Sequence, residues 1–144
     1  MKIRQIIWNI LSKVYPFILR RIYGMSIGKN VIISYKAQLD KSVNPKGVNI
    51  GDNTWVLANS WILAHDYCRG VNGKGKRFDT IIGANCVIGI NSIIMPGVKI
   101  GDHVIVGSGA VVTKNIESHC VVVGNPAKVI KDNIRVNDNG QIIS

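Results

Sequence analysis

His65 and Asp66 stand side by side, and a glycine-rich basic stretch, CRGVNGKGKRFDT, runs on from residue 68 to residue 80. An imidazole, with an ordinary pKa of about 6.5, can act near neutral pH as a general base that takes the proton of an attacking hydroxyl. Its second ring nitrogen then needs an acceptor. Asp66, Asp79 or a backbone carbonyl could serve, and the order of residues leaves that choice open. Arg69, Lys74, Lys76 and Arg77 give the stretch a charge that could close over an anionic acceptor or remain solvated. Its glycines do not fit the G-x-x-x-x-G-K-[ST] pattern of phosphate-cradling loops, so nucleotide hydrolysis is not indicated. Cys68 is the one thiol placed to act as a nucleophile, since Cys86 falls at an inward repeat position and Cys120 in a terminal apolar stretch. Three cysteines without C-x-x-C spacing suggest neither a disulfide framework nor a zinc site. Reduced thiols fit a cytoplasmic setting. His103 reads as a corner residue, His119 has no partner in the sequence, and no metal site is expected.

The elements that must hold these groups come from a six-residue repeat. Ile27, Ile33, Leu39, Ile50, Val56, Ile62, Ile82, Ile88, Ile94, Ile100, Val106 and Val112 all open a hexad, and none is polar. A period of six is neither the 3.6 of a helix nor the two of a simple strand. It means a short strand and a corner, repeated, with each unit stacking on the next. Gly28 and Asn30, Gly51 and Asn53, Gly83 and Asn85, and Gly89 and Asn91 sit where corners fall, and both residue types tolerate left-handed backbone angles. The small fifth positions point inward with the aliphatic first ones. The frame slips at Pro45-Lys46-Gly47 and between Tyr67 and Ile82. Asp66 breaks the pattern by putting a carboxylate at a fifth position, beside an insertion. Function is expected where a local rule fails in that way.

This pattern, over about residues 27–131, resembles the hexapeptide-repeat acyltransferases, closest to the small sugar and polysaccharide O-acetyltransferases. The resemblance implies an all-β solenoid: a left-handed parallel β-helix of about four coils, a triangular prism with three hexads per coil. His65-Asp66 looks like the catalytic element of that family, which ends a coil just before an excursion. VGSGAVVTKN (residues 106–115) followed by GNPAKVIK (residues 124–131) looks like its coenzyme A end. Carried over by position, Ile90, Ser108 and Gly109 would meet the pantetheine arm, Thr113 and Lys114 the pantetheine and adenine end, and Lys128 and Lys131 the nucleotide phosphates. The implied donor is acetyl-CoA, transferred directly and without metal. The implied assembly is a homotrimer whose active site lies between subunits. A sugar hydroxyl or lipid-linked saccharide in bacterial surface polysaccharide synthesis is the expected acceptor. Serine and antibiotic O-acetylation are the enzymatic alternatives, and a non-catalytic structural prism is the other class.

Composition bounds the rest. The chain has 144 residues, 47% of them hydrophobic but only 6% aromatic, and a net charge of +10. A core of aliphatic and small side chains follows. The charge suits phosphates of a cofactor or lipid-linked sugar, and no nucleic-acid-binding signature accompanies it. Residues 1–23 are apolar and basic, with Ile3, Ile7, Ile10, Val14 and Phe17 at helical spacing. They read as an N-terminal amphipathic α-helix that Pro16 should end or kink. It would pack on its own protein or a neighbouring subunit, or contact the inner membrane face peripherally. Residues 24–131 form the expected β-helix domain, with a loop at 68–80. Residues 132–144 form a tail, with a small hairpin at Asn139-Gly140. Trp55 and Trp61, at outward sixth positions, suit subunit contacts or sugar stacking.

Overall fold

The computed structural model describes residues 2–144; Met1, part of the expected 1–23 segment, lies outside them. Helix α1 (Ile3–Arg21) leads into four passages of short strands. The first is β1 (Ser26–Ile27), β2 (Ile32–Ile33) and β3 (Gln38–Leu39), and the second is β4 (Val48–Ile50), β5 (Trp55–Val56) and β6 (Trp61–Ile62). An excursion, β7 (His65–Val71) and β8 (Lys74–Arg77), precedes the third, β9 (Thr80–Ile82), β10 (Val87–Ile88) and β11 (Ile93–Ile94). The fourth is β12 (Lys99–Ile100), β13 (Ile105–Val106) and β14 (Val111–Val112), and β15 (Val121–Val123) and β16 (Lys128–Lys131) close the chain of strands.

Each passage adds one strand to each of three parallel sheets, ordered β1-β4-β9-β12, β2-β5-β10-β13-β15 and β3-β6-β11-β14. Only β16 joins antiparallel, on β15. Register is set by the hexad frame. Ile27 lies on Ile50, Ile33 on Val56 and Leu39 on Ile62, and the later passages continue the columns. All twelve first positions are buried. The polar fifth positions Ser60 and Ser92 are fully buried too, and each hydroxyl donates to the carbonyl three residues back, Leu57 and Gly89, at 2.7 Å. A buried hydroxyl is tolerated only when partnered in this way.

The corner residues divide their work differently from the sequence expectation. Asn30, Asn53, Asn85 and Asn91 carry the left-handed angles, with φ between 52° and 57°, and His103 does the same at 55°. The glycines two positions earlier do not have positive φ. They are needed because the passages approach too closely for a side chain. A Cβ on Gly51 would meet the Gly83 carbonyl carbon at 2.5 Å, and one on Gly83 would meet the Gly101 oxygen at 2.5 Å. The glycine column is a steric requirement of stacking.

Helix α1 runs through Pro16 without ending there. Its buried face is Ser12, Pro16 and Leu19, so the proline ring packs inward, and packing outweighs the lost backbone bond. Arg20 covers the free edge of β1, donating from Nε to the Ile27 carbonyl at 2.8 Å and from Nη2 to that of Gly28 at 2.9 Å. The stripe read from helical spacing points outward: Ile3, Ile7, Ile10, Val14 and Phe17 are all exposed. The helix therefore does not use that stripe against its own body. Among the described residues, no helix is long and apolar enough to cross a membrane.

The tail folds back on the body. Val136 bridges Ile142 antiparallel around Gly140, and the Trp55 indole donates to the Asp138 carbonyl at 3.2 Å. Trp55 is thereby occupied by its own chain, whereas Trp61 stays exposed. His119 acquires a partner that the sequence did not show. It stacks on His103 with ring centres 5.0 Å apart, and both rings face tail carbonyls, those of Ile134 and Val136.

Candidate active site

The segment between Tyr67 and Ile82 is a two-stranded antiparallel ribbon that begins at His65, not a structureless loop. Its turn is Asn72-Gly73, with φ of 51° and 72°, the paired left-handed angles that give a tight hairpin its twist. Asn-Gly was therefore a legible hairpin signal that the sequence reading passed over. Asn44 fixes the root of the ribbon to the body, its amide donating to the carbonyls of Ala64 at 2.9 Å and Phe78 at 2.8 Å.

At that root, His65 Nδ1 lies 2.5 Å from Asp40 Oδ2. None of the three acceptors left open by the sequence is used. Asp40 comes from the passage below: Leu39 pairs with Ile62, so the residue after Leu39 lies under the approach to His65. The Asp40 side chain has no exposed surface, while that of His65 keeps 19%. Oδ2 also accepts the Ala64 amide at 3.1 Å, and Oδ1 accepts the amides of Val43 at 3.2 Å and Asn44 at 3.3 Å. Burial pushes this carboxyl upward, but the His65 ring and the three backbone N–H groups outweigh it and hold Asp40 below its ordinary value. An ionised carboxylate only accepts, so Nδ1 must carry the proton and donate it. In the neutral ring Nε2 then keeps its lone pair, which is the tautomer a base requires.

Asp66, expected as part of the catalytic pair, faces elsewhere. Its Oδ2 accepts the Arg69 Nε at 2.6 Å and its Oδ1 the Cys68 amide at 2.8 Å, so it braces the ribbon and not His65. The Arg69 guanidinium beside it holds its carboxyl below the ordinary value. Asp79 is exposed. Cys68 is exposed; Cys86 is buried, which pushes its thiol up to about 12.

The positions assigned to the cofactor are divided between edges. Ile90 lies between β10 and β11, and Ser108 and Gly109 lie directly above it between β13 and β14, with the Gly109 amide donating to the Ile90 carbonyl at 2.8 Å. His65 lies at the corner that follows β6, one sheet further round, and Thr113 and Lys114 follow β14 on that same edge. Lys128 and Lys131 are exposed on β16, beside β15. A single chain does not bring the base and the Ile90–Ser108 edge together. Among the described residues, no group of three or more His, Cys, Asp or Glu side chains could hold a metal ion.

Residues 79–114 match the family model described as bacterial transferase hexapeptide (six repeats). WcaF of Escherichia coli (strain K12), provisionally named a colanic acid biosynthesis acetyltransferase, is 31% identical over 137 residues, 81% of this chain and 74% of that protein. A maltose O-acetyltransferase from Clostridium difficile 630 superposes with a TM-score of 0.62 at 26% identity, over 86% of this chain and 83% of that one. A galactoside acetyltransferase in complex with coenzyme A gives 0.63 at 22% identity, over 96% and 86%, a likeness of fold. The chain spans 62% or less of the length of several other curated relatives. With its hexad register and its match to WcaF over most of both chains, the protein belongs to the bacterial hexapeptide-repeat transferase family.

Proposed function

We propose that the protein is an O-acetyltransferase that moves the acetyl group of acetyl-CoA to a sugar hydroxyl, in the assembly of a bacterial surface polysaccharide. The observation that carries this reading is the buried Asp40 on His65 Nδ1, which leaves Nε2 as a free base at a half-open corner. The acceptor hydroxyl gives its proton to Nε2 as its oxygen attacks the thioester carbonyl. The C–S bond then breaks, and the proton held on Nε2 passes to the departing sulfur. Asp40 stays ionised throughout and steadies the imidazolium that forms between these steps. A backbone N–H would hold the developing oxyanion.

Ile90, Ser108 and Gly109 would hold the pantetheine arm of the donor, Thr113 and Lys114 its pantetheine and adenine end, and Lys128 and Lys131 its phosphates. Because His65 and the Ile90–Ser108 edge occupy different corners, the reading requires a homotrimer in which one subunit's His65 meets the next subunit's Ser108. The three sheets visited in turn suit the left-handed β-helix of about four coils that the resemblance implies. A saccharide acceptor agrees with the sugar substrates in the names of the maltose and galactoside relatives. The outward stripe of α1, with Arg4, Lys13 and Arg21 and no acid on the helix, suits contact with an anionic membrane face. Failure to sediment with anionic vesicles would leave a second subunit as its cover.

Differential scanning calorimetry with coenzyme A tests the reading. At about 100 times its Kd a ligand that binds only the native state stabilises it by about 2.7 kcal/mol, so a rise in Tm is expected. No shift at millimolar coenzyme A would refute the donor assignment.

A further inference from the structure

Side chains alternate along β8, so Arg77 and Gly75 share the His65 face while Lys74 and Lys76 stand on the other. His65 pairs with Arg77 and Asp66 with Lys76, and paired residues of an antiparallel ribbon share a face. Arg69 and Lys76 are already engaged on the Asp66 face. The Arg69 guanidinium sits 4.2 Å from the Phe78 ring centre and bonds to Asp66 and to the Pro96 carbonyl, and the Lys76 amine lies 5.4 Å from the same ring. A cleft of about 400 Å³ opens beside the His65 face, lined by Val43, Tyr67, Gly75 and Arg77 and, at the turn end of the ribbon, by Gly73 and Lys74. The Tyr67 ring meets the His65 ring edge-on at 5.2 Å. Gly75 keeps the approach open, since a Cβ there would stand 3.4 Å from His65 Cδ2, the carbon next to Nε2. Among the described residues, no carboxylate lies within ion-pair distance of Lys74 or Arg77.

We infer that Arg77, with Lys74 at the turn end of the cleft, forms an oxyanion-binding subsite beside the base, so that the acceptor saccharide carries a phosphate or carboxylate group. The inference rests on the acetyl-transfer reading and narrows its acceptor class. Arg77 offers a planar fork to the oxyanion and Lys74 a second, mobile charge, in a site already free of competing carboxylates. Both sources of the oxyanion share this chemistry: the diphosphate of a nucleotide- or lipid-linked sugar, and the carboxylate of an acidic sugar.

The test is an NMR titration of the His65 ring protons with UDP, glucuronate and glucose, in wild type, Arg77→Gln and Lys76→Gln. The two variants lose the same charge at neighbouring positions on opposite faces. Saturable shifts with UDP, glucuronate or both are expected, and the probe that binds names the source. Arg77→Gln should weaken that binding about tenfold or more, the loss expected for a charge-assisted hydrogen bond. Lys76→Gln should leave it within about twofold. Binding of neither oxyanion, equal binding of glucose, or an equal loss in Lys76→Gln would overturn the inference. Stabilisation by coenzyme A separates the two failures. If it persists, only the subsite falls; if it is absent as well, the acetyl-transfer reading falls.

Discussion

Replacing Asp40 by Asn tests the site at the point where the sequence said least. Every group around this carboxylate donates: His65 Nδ1 at 2.5 Å and the Ala64 amide at 3.1 Å on one oxygen, the Val43 and Asn44 amides at 3.2 and 3.3 Å on the other. An Asn amide must turn its NH₂ toward one of these pairs. Turned toward His65, it forces Nδ1 to accept, moves the ring proton to Nε2 and blocks the base. Turned the other way, it sets donors against donors at the Val43–Asn44 bend and loosens the residue that aims the ring. Removing the right tautomer costs about 10²–10⁴ in kcat. A buried donor left without a partner costs about 1–3 kcal/mol, or about 2–10 °C in Tm for a domain of this size. The assay is thiol release from acetyl-CoA at saturating acceptor, with a melting curve on the same preparation. Stabilisation by coenzyme A should persist, because its proposed residues lie outside this contact. Asp40 also fixes a pH dependence. Its carboxyl is held below the ordinary value, so its contribution to stability is complete above about pH 4 and is lost as pH falls through the folded value. A folded Asp40→Asn protein with kcat within about threefold of wild type would refute the account of the base.

Three further outcomes follow from the structure. A thiol reagent at pH 8 should modify Cys68 rapidly and Cys86 only on unfolding, since Cys68 is exposed and burial lifts the Cys86 thiol to about 12; stoichiometry before and after denaturant checks this. Ile94→Ala, in a fully buried column position, should cost about 2–5 kcal/mol in denaturant unfolding, and a loss under 1 kcal/mol would question the stacked core. Co-expressed His65→Ala and Ser108→Trp chains, each inactive alone, should recover part of the activity in mixed trimers, because some interfaces then carry an intact base and an intact donor edge. Complete inactivity of the mixture would place both sets within one subunit.

The hexad frame made most of the fold legible, because a column of aliphatic first positions has only one way to stay buried. It predicted the register through which Leu39 lies under Ile62, and with it the means of finding Asp40. Neighbours along the chain, Asp66 and Asp79, drew attention because they are close in sequence. In a stacked fold the relevant neighbour is one passage away, and Asp40 occupies a second position of LDKSVN, below the approach to His65. Asp66 breaks the hexad pattern for a different reason, as a brace for Arg69 at the start of the ribbon. Which surface the stripe of α1 meets stayed open in the sequence, because helical spacing reports amphipathicity, not which side meets the body. Pro16 and Leu19, less conspicuous in the pattern, carry that contact. The corner glycines were credited with unusual backbone angles, whereas close stacking, invisible in a single hexad, is what excludes a side chain there.

The central claim is that His65 is the base of an acetyl transfer. Thiol release from acetyl-CoA, measured for wild type and His65→Ala against neutral sugars, acidic sugars, nucleotide sugars and serine, tests it most directly. The account predicts release that requires a saccharide acceptor and falls about 10²–10⁴-fold in His65→Ala, with folding and coenzyme A stabilisation unchanged. Acceptor-dependent release that survives intact in a folded His65→Ala protein would contradict it.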